Sequence, residues 1–172
     1  MVAAKSKEKK SKFKKKQRSE SDLEEIVVDI RRCSKVVKGG RRFSFSAVVV
    51  VGDRAGHVGL GLGKANEVAD AIAKGTEVAQ RNIIKVPMKG STISHRVIGR
   101  FGGASLMLKP ASPGKGIVAG GGARALLELS GIKDVYAKAL GSRNSFNLIK
   151  AGIEGLNRIR EEEAASRIRR GR

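Results

Sequence analysis

The strongest constraint on the fold is a run of alternating apolar side chains at residues 42–51, enclosed by glycine-containing turns. An apolar residue at every second position predicts a β-strand with one buried face. The β-branched residues of segment 23–37 predict a second strand, and residues 38–41 form the turn between the two. The sequence therefore predicts a β-hairpin. The alternating apolar residues are Phe43, Phe45, Ala47, Val49 and Val51.

The hairpin leads into a third predicted strand and a helix. Residues 52–56 form a second turn, and the glycine-rich segment 57–63 is the third strand. Asn66 is the predicted N-cap of a helix over residues 66–84, which Pro87 ends. Three strands followed by one helix predict a small α+β unit. The predicted apolar stripe of the helix comprises Val68, Ile72, Gly75, Ala79 and Ile83.

A second α/β unit begins near Gly90. Its predicted elements are strands at 92–99 and 104–110, a helix after residues 120–122, a strand at 135–140 and a helix at 145–159. Strands that alternate with helices predict a βαβ arrangement. The fold class is therefore α+β, built from two small α/β units. We predict a basic disordered arm at 1–22, domains at 23–88 and 89–160, and an Arg-rich tail at 161–172.

The charge balance indicates a polyanionic partner. Lys and Arg total 36 against 16 Asp and Glu, which gives a net charge of +20. Nucleic acid is the usual ligand for such an excess. An anionic membrane surface is a weaker alternative, because the basic N-terminal run offers only Phe13 as a bulky apolar anchor. Without a secretory signal or a membrane-spanning run, we expect a cytoplasmic location. An aromatic content of 3% favours folded RNA over single strands, which are stacked on aromatic side chains.

The hairpin tip is the main candidate RNA-binding site. It projects because it joins two strands, its cations suit phosphates, and its glycines allow close backbone approach. The alternative is an ordinary solvated hairpin. Lys64 is a further candidate, and the helical spacing places Lys74, Arg81 and Lys85 on one face of the first helix. The tip candidates are Arg31, Arg32, Ser34, Lys35, Lys38, Gly39, Gly40, Arg41 and Arg42.

The residue pattern gives little support for an enzyme. No phosphate loop is present, because the glycine needed before Gly63-Lys64 is replaced by Val58. Cys33, His57 and His95 are too sparse for a zinc site, and we expect neither metal nor cofactor. The glycine run at 120–122, before a helix, suits an anion. Close packing of helix on sheet explains that run equally well.

Ordered motifs over residues 23–159 resemble the bacterial form of one family, that of the fifth small-subunit ribosomal protein. The two ends of the chain lie outside the resemblance. The motifs are Ser34-Lys35, Lys38-Gly39-Gly40-Arg41, Phe43-Ser44-Phe45, Gly52-Asp53, Gly63-Lys64-Ala65, Pro110-Ala111-Ser112, Ala119-Gly120-Gly121, Arg124-Ala125 and Gly141-Ser142.

The resemblance implies an N-terminal fold related to double-stranded-RNA-binding domains. It implies a C-terminal fold that several nucleotide-using enzymes share. A structural, non-enzymatic role follows from it: binding of small-subunit ribosomal RNA, contact with the fourth and eighth small-subunit proteins, and a place beside messenger RNA at its entry path. It also implies effects on subunit assembly and translational accuracy, with Gly116 and Arg124 at the interface with the fourth protein.

Two other functions remain open at this point. A phosphotransferase could use the same C-terminal fold, but it would need magnesium-binding acids near residues 120–122, and none lies close in sequence. A stand-alone regulator that binds double-stranded RNA is the other alternative. The matched second unit argues against it.

Overall fold

The computed structural model describes residues 23–170 of the chain, and the predicted arm at 1–22 lies outside them. The first domain is a four-stranded antiparallel sheet in the order β1-β2-β3-β4. Its helix, α1, packs on one face. The predicted strand-strand-strand-helix order is correct, and β4 is an addition too short for a sequence pattern to reveal. The elements are β1 (Glu24–Val37), β2 (Gly40–Gly52), β3 (His57–Ala65), α1 (Val68–Arg81) and β4 (Ile84–Lys85).

The glycines of β3 allow α1 to lie directly on the sheet. A Cβ atom added at Gly61 would overlap the carbonyl oxygen of Gly75, and one at Gly63 would overlap that of Ala71. No side chain larger than hydrogen fits between the two backbones at these points. The glycine-rich sequence of β3 therefore serves helix-on-sheet packing.

Strand β2 is buried on both faces from Ala47 onward. Val49 and its neighbours at every second position pack against α1. Val48 and Val50 belong to a second apolar cluster that also contains Leu126 and Ile149 of the C-terminal domain. The expectation of a single buried face is therefore wrong for this half of the strand, because the second domain covers the other face.

The second domain places two helices on one face of a four-stranded sheet, in the order β5-β6-β8-β7. Strands β7 and β8 are parallel, and α2 connects them, so the predicted βαβ unit is present. Leu106, Leu108 and Leu127 are fully buried between sheet and helices. The elements are β5 (Val97–Phe101), β6 (Ala104–Pro110), β7 (Ile117–Val118), α2 (Gly121–Leu129), β8 (Val135–Gly141) and α3 (Ser145–Arg170).

Three predicted boundaries need correction. The strand expected to begin at Thr92 begins at Val97, and Thr92 forms an isolated bridge with Lys89. The N-cap of α1 is Glu67 rather than Asn66, and its side chain makes no capping hydrogen bond. Helix α3 continues to Arg170 instead of ending near residue 159. The predicted tail is therefore helical up to Arg170, and its last two residues lie outside the described part of the chain.

The turn between β2 and β3 fastens the first domain to the second. The backbone N–H of Arg54 donates to the carbonyl oxygen of Leu129 at 3.0 Å. The Arg54 guanidinium pairs with Glu24 at 2.7 Å, and it lies 3.9 Å from Glu128. The contacts of Arg54 with Leu129 and Glu128 add polar links between the domains to the apolar core that they share. Within residues 23–170, no helix is both long and apolar enough to cross a membrane.

Candidate nucleic-acid interface

The hairpin formed by β1 and β2 projects beyond the rest of the first sheet. Its closing pair is Val37 with Gly40, which leaves Lys38 and Gly39 as the turn. Strand β3 reaches only as far as Phe45 on β2, where it ends at Ala65. Past that point the hairpin is a two-stranded ribbon, formed by residues 33–37 and 40–44. At about 3.4 Å per residue, the ribbon extends roughly 17 Å from the sheet.

The turn of the ribbon depends on backbone conformation. Gly39 has φ +94° and Gly40 has φ +156°, a region that L side chains rarely adopt. A Cβ atom at either position would meet nothing within 4 Å. Both glycines are therefore required by the shape of the turn, and both leave the tip open to close approach.

The cations of the ribbon divide between its two faces because side chains alternate along each strand. Arg32 and Arg41 lie on the face on which α1 packs farther along the sheet, here called the α1 face. Lys35 and its cross-strand partner Arg42 lie on the opposite face, here called the junction face. Arg31 and Lys64 also lie there, because both are register partners of Ser46. Together with Arg32 they stand at the base of the ribbon, and the term ribbon cations includes these three. Lys38 stands at the turn, and all seven cations are exposed.

Most of these charges have no neutralising partner among residues 23–170. The exception is Arg31, which pairs with Asp29 at 2.8 Å. Asp29 also accepts a hydrogen bond from the Ser145 hydroxyl at 3.1 Å, so it links the base of the ribbon to α3. Within residues 23–170, the other six ribbon cations form no ion pair. They are free to bind phosphates.

The three-cation face predicted for α1 is incorrect. The helix ends at Arg81, and Lys85 lies on β4, where its register partner is His57. From His57 to Lys64 along β3 is about 23 Å at the usual rise of a strand. Lys85 therefore lies at the end of the sheet away from the ribbon. Arg81 pairs with Glu77 on its own helix, and Lys74 is exposed.

The two predicted interface residues of the second domain adjoin β7. Arg124 is exposed on α2, and its Nη2 donates to the Ile117 carbonyl oxygen at 3.1 Å. Gly116 has φ +74°, and its N–H donates to Asp134 at 2.9 Å. That N–H, followed by the Ser91 hydroxyl, lowers the pKa of the Asp134 carboxyl, which is 5% exposed. Gly116 therefore shapes the loop before β7. The sequence pattern did not indicate that Asp134 holds this loop.

The glycine run at residues 120–122, where α2 begins, opens onto a cavity of about 730 Å³ between the domains. A Cβ atom at Gly120 or Gly121 would meet nothing within 4 Å, so close packing does not explain these two glycines. Lys138 and Arg143 line the same cavity. Within residues 23–170, no group of three or more metal-binding side chains lies together.

An aromatic residue of the ribbon was also missed as a site residue. Phe43 lies on the α1 face, opposite Ser34, and is 48% exposed. The guanidinium carbon of Arg32 lies 4.7 Å from the centre of its ring. Alternation alone places Phe43 on this face; its exposure follows from the end of β3 at Ala65.

Comparison with known proteins agrees with this architecture. The family model for the N-terminal domain of ribosomal protein S5 matches residues 23–87, and that for its C-terminal domain matches residues 99–169. The small ribosomal subunit protein uS5 of Syntrophobacter fumaroxidans is 55% identical over 151 residues, which cover 88% of this chain and 91% of the relative. The chain therefore belongs to the ribosomal protein S5 family, whose members are structural, non-enzymatic proteins of the small ribosomal subunit.

Proposed function

We propose that this chain holds small-subunit ribosomal RNA in place within the cytoplasmic ribosome, chiefly through the projecting ribbon. The observation that carries the proposal is the set of six ribbon cations that form no ion pair within residues 23–170. Exposed cations without an ion-pair partner can bind phosphates favourably, because charge-assisted hydrogen bonds to the phosphate oxygens compensate for the water that the cations lose.

The division of charge between two faces supports insertion between RNA strands. Lys35 and Arg42 point to one side of the ribbon, and Arg32 and Arg41 point to the other. A ribbon charged on both sides can bind two phosphate backbones at once. Such contacts recognise the shape of folded RNA rather than its sequence.

The second domain supplies surfaces for neighbouring proteins, and we assign them to the fourth and eighth small-subunit proteins. Arg124 is exposed beside β7, and a guanidinium can hold a partner carboxylate in two bonds. The sheet face opposite α2 and α3 exposes Val118 and Leu140. Through these contacts and a position near entering messenger RNA, the chain supports subunit assembly and translational accuracy.

Co-sedimentation and RNA titration test the proposal. The full chain should remain with small ribosomal subunits through a high-salt wash. It should also bind transcribed small-subunit RNA with an affinity that falls steeply with salt, because bound cations displace counterions. A slope of log affinity against log salt near zero would rule out phosphate binding by the ribbon.

A further inference from the structure

We propose that Phe43 and Arg32 form a stacking site for one unpaired nucleobase of RNA, on the α1 face of the ribbon. The inference rests on the proposed function and adds a ligand class to it: a nucleotide from a loop, bulge or junction. Bases within a continuous duplex are already stacked on their neighbours and are unavailable to this site.

The geometry at Phe43 provides a flat, layered surface. Arg32 is the register partner of Phe45, so it sits diagonally across the strands from Phe43, and its guanidinium lies over the Phe43 ring at 4.7 Å. Guanidinium and phenyl groups are both planar, and either one can continue a stack with a nucleobase. Phe43 remains 48% exposed despite this contact, so the Arg32–Phe43 pair is open to a third layer.

The surroundings of the ring are apolar along the ribbon and cationic at its edge. Val36 is 73% exposed on the α1 face of the ribbon, and Ile30, which is 45% exposed, lies on the same face farther along the sheet, opposite Ala47. Arg41, the register partner of Val36, lies beyond the ring towards the tip. An exposed apolar strip beside cations suits a nucleotide, whose base is planar and whose phosphate is anionic.

The α1 face of the ribbon also lacks acidic side chains. From residue 30 to residue 45, the positions on this face are Ile30, Arg32, Ser34, Val36, Arg41, Phe43 and Phe45. A basic partner would meet no counter-charge at these seven positions. An uncharged apolar protein segment would leave Arg32 and Arg41 without an anion, so the charge favours RNA as the occupant.

The chain contains no tryptophan, which permits a direct optical test. Phe43→Trp places a sole tryptophan in the site. Phe101→Trp is the matched control, because Phe101 is 40% exposed and lies under the Lys150 ammonium at 4.6 Å. Small-subunit RNA should quench the tryptophan at position 43 and leave the one at position 101 nearly unchanged. Equal quenching at both positions, or none at position 43, would overturn the stacking site.

Two short RNAs refine this experiment. A fully paired hairpin stem and the same stem with a single-nucleotide bulge carry nearly the same phosphate charge. Both should bind at low salt, but only the bulged stem should quench the tryptophan at position 43. Quenching by the paired stem to the same extent would show that the signal does not report an unpaired base.

Affinity and salt dependence separate stacking from phosphate binding. Phe43→Leu should weaken binding of small-subunit RNA by about tenfold, as expected for one stacked base, with an unchanged salt slope. Phe43→Tyr retains the ring and should bind like the parent. If Phe43→Leu binds RNA normally but assembles poorly into subunits, the face contacts protein and the inference is wrong. If the parent itself shows no salt-dependent RNA binding, the proposed function fails first.

Discussion

Asp53 and His57 close the turn between β2 and β3, with the Asp53 Oδ2 atom 2.7 Å from Nδ1 of His57. The other carboxylate oxygen accepts the backbone N–H groups of Ala55 and His57, at 2.8 and 2.9 Å. Partial burial on its own would raise the pKa of Asp53. The hydrogen bonds from the His57 and Ala55 backbones and the His57 ring outweigh burial, so the pKa is lowered overall. The charged carboxylate thus stabilises the turn that fastens the domains together.

Replacement of Asp53 with Asn should lower stability at neutral pH by about 1 kcal/mol, since the charge and part of the hydrogen bonding are lost. A lowered pKa in the folded state stabilises the protein above the unfolded pKa, near 3.9, and this contribution disappears as pH falls through the folded value. Urea denaturation should therefore show the largest difference between parent and variant at pH 7 and a smaller one below pH 4. A difference that is constant with pH would contradict the role of the charge.

The close packing of α1 on β3 leads to a second prediction. Gly61→Ala should destabilise the first domain by about 3 kcal/mol or prevent folding, because the added methyl group overlaps the α1 backbone. Gly121→Ala is the matched control, since its methyl group meets nothing within 4 Å and alanine favours the helix that begins there. Thermal unfolding of both variants measures the contrast. Equal effects would show that β3 and α1 are not in close contact.

The ribbon cations lead to a third prediction. The double variant Lys38→Ala, Arg41→Ala should bind small-subunit RNA more weakly and reduce the salt slope by about one unit for each lost phosphate contact. Lys89→Ala combined with Lys133→Ala removes the same charge from exposed positions away from the ribbon. That control should change the slope less. A slope that follows total charge alone would assign binding to the whole surface rather than to the ribbon.

The turn glycines of the ribbon can be tested separately from its charge. Gly39→Val leaves every cation in place but strains a backbone with φ +94°. RNA affinity should fall even though the charge is unchanged, while the folded core is retained. Circular dichroism and the same RNA titration check both parts. Parent-like RNA affinity would mean that the turn geometry is not needed for binding.

Local patterns predicted the hairpin and the second-domain βαβ unit because those signals lie within neighbouring residues. The end of α1 was misplaced because Ile83 continues the helical apolar spacing, whereas Lys85 pairs with His57 on β3. That pairing depends on residues distant in sequence. The burial of Val48 and Val50 depends in the same way on the second domain.

In the candidate site, too, the features set by local pattern were predicted and the contacts between distant residues were not. Alternation around Phe43 and a basic turn were enough to predict a charged hairpin. The diagonal contact between Arg32 and Phe43 depends on strand register, which the sequence did not specify. Asp134 lies 18 residues from Gly116, and no local motif joins them.

Arg124 leads to the last prediction, which rests on the proposed contact with the fourth small-subunit protein. Leu126 and Leu127 of α2 are fully buried, whereas Arg124 is exposed, and within residues 23–170 its guanidinium donates only to the Ile117 carbonyl oxygen. Loss of one exposed hydrogen bond costs about 1 kcal/mol or less, so Arg124→Leu should fold and bind RNA nearly normally.

A charge pair at the rim of an interface adds little static stability, yet it can bias an equilibrium between two arrangements of the subunit. Arg124→Leu should therefore raise misreading, scored by stop-codon readthrough in reporter strains alongside subunit assembly. Arg124→Lys keeps the charge but loses the planar fork, so an intermediate effect would identify a two-bonded carboxylate partner. Normal readthrough with intact assembly would contradict the interface role. Failed assembly would show instead that Arg124 is needed for the structure of the β7–α2 region.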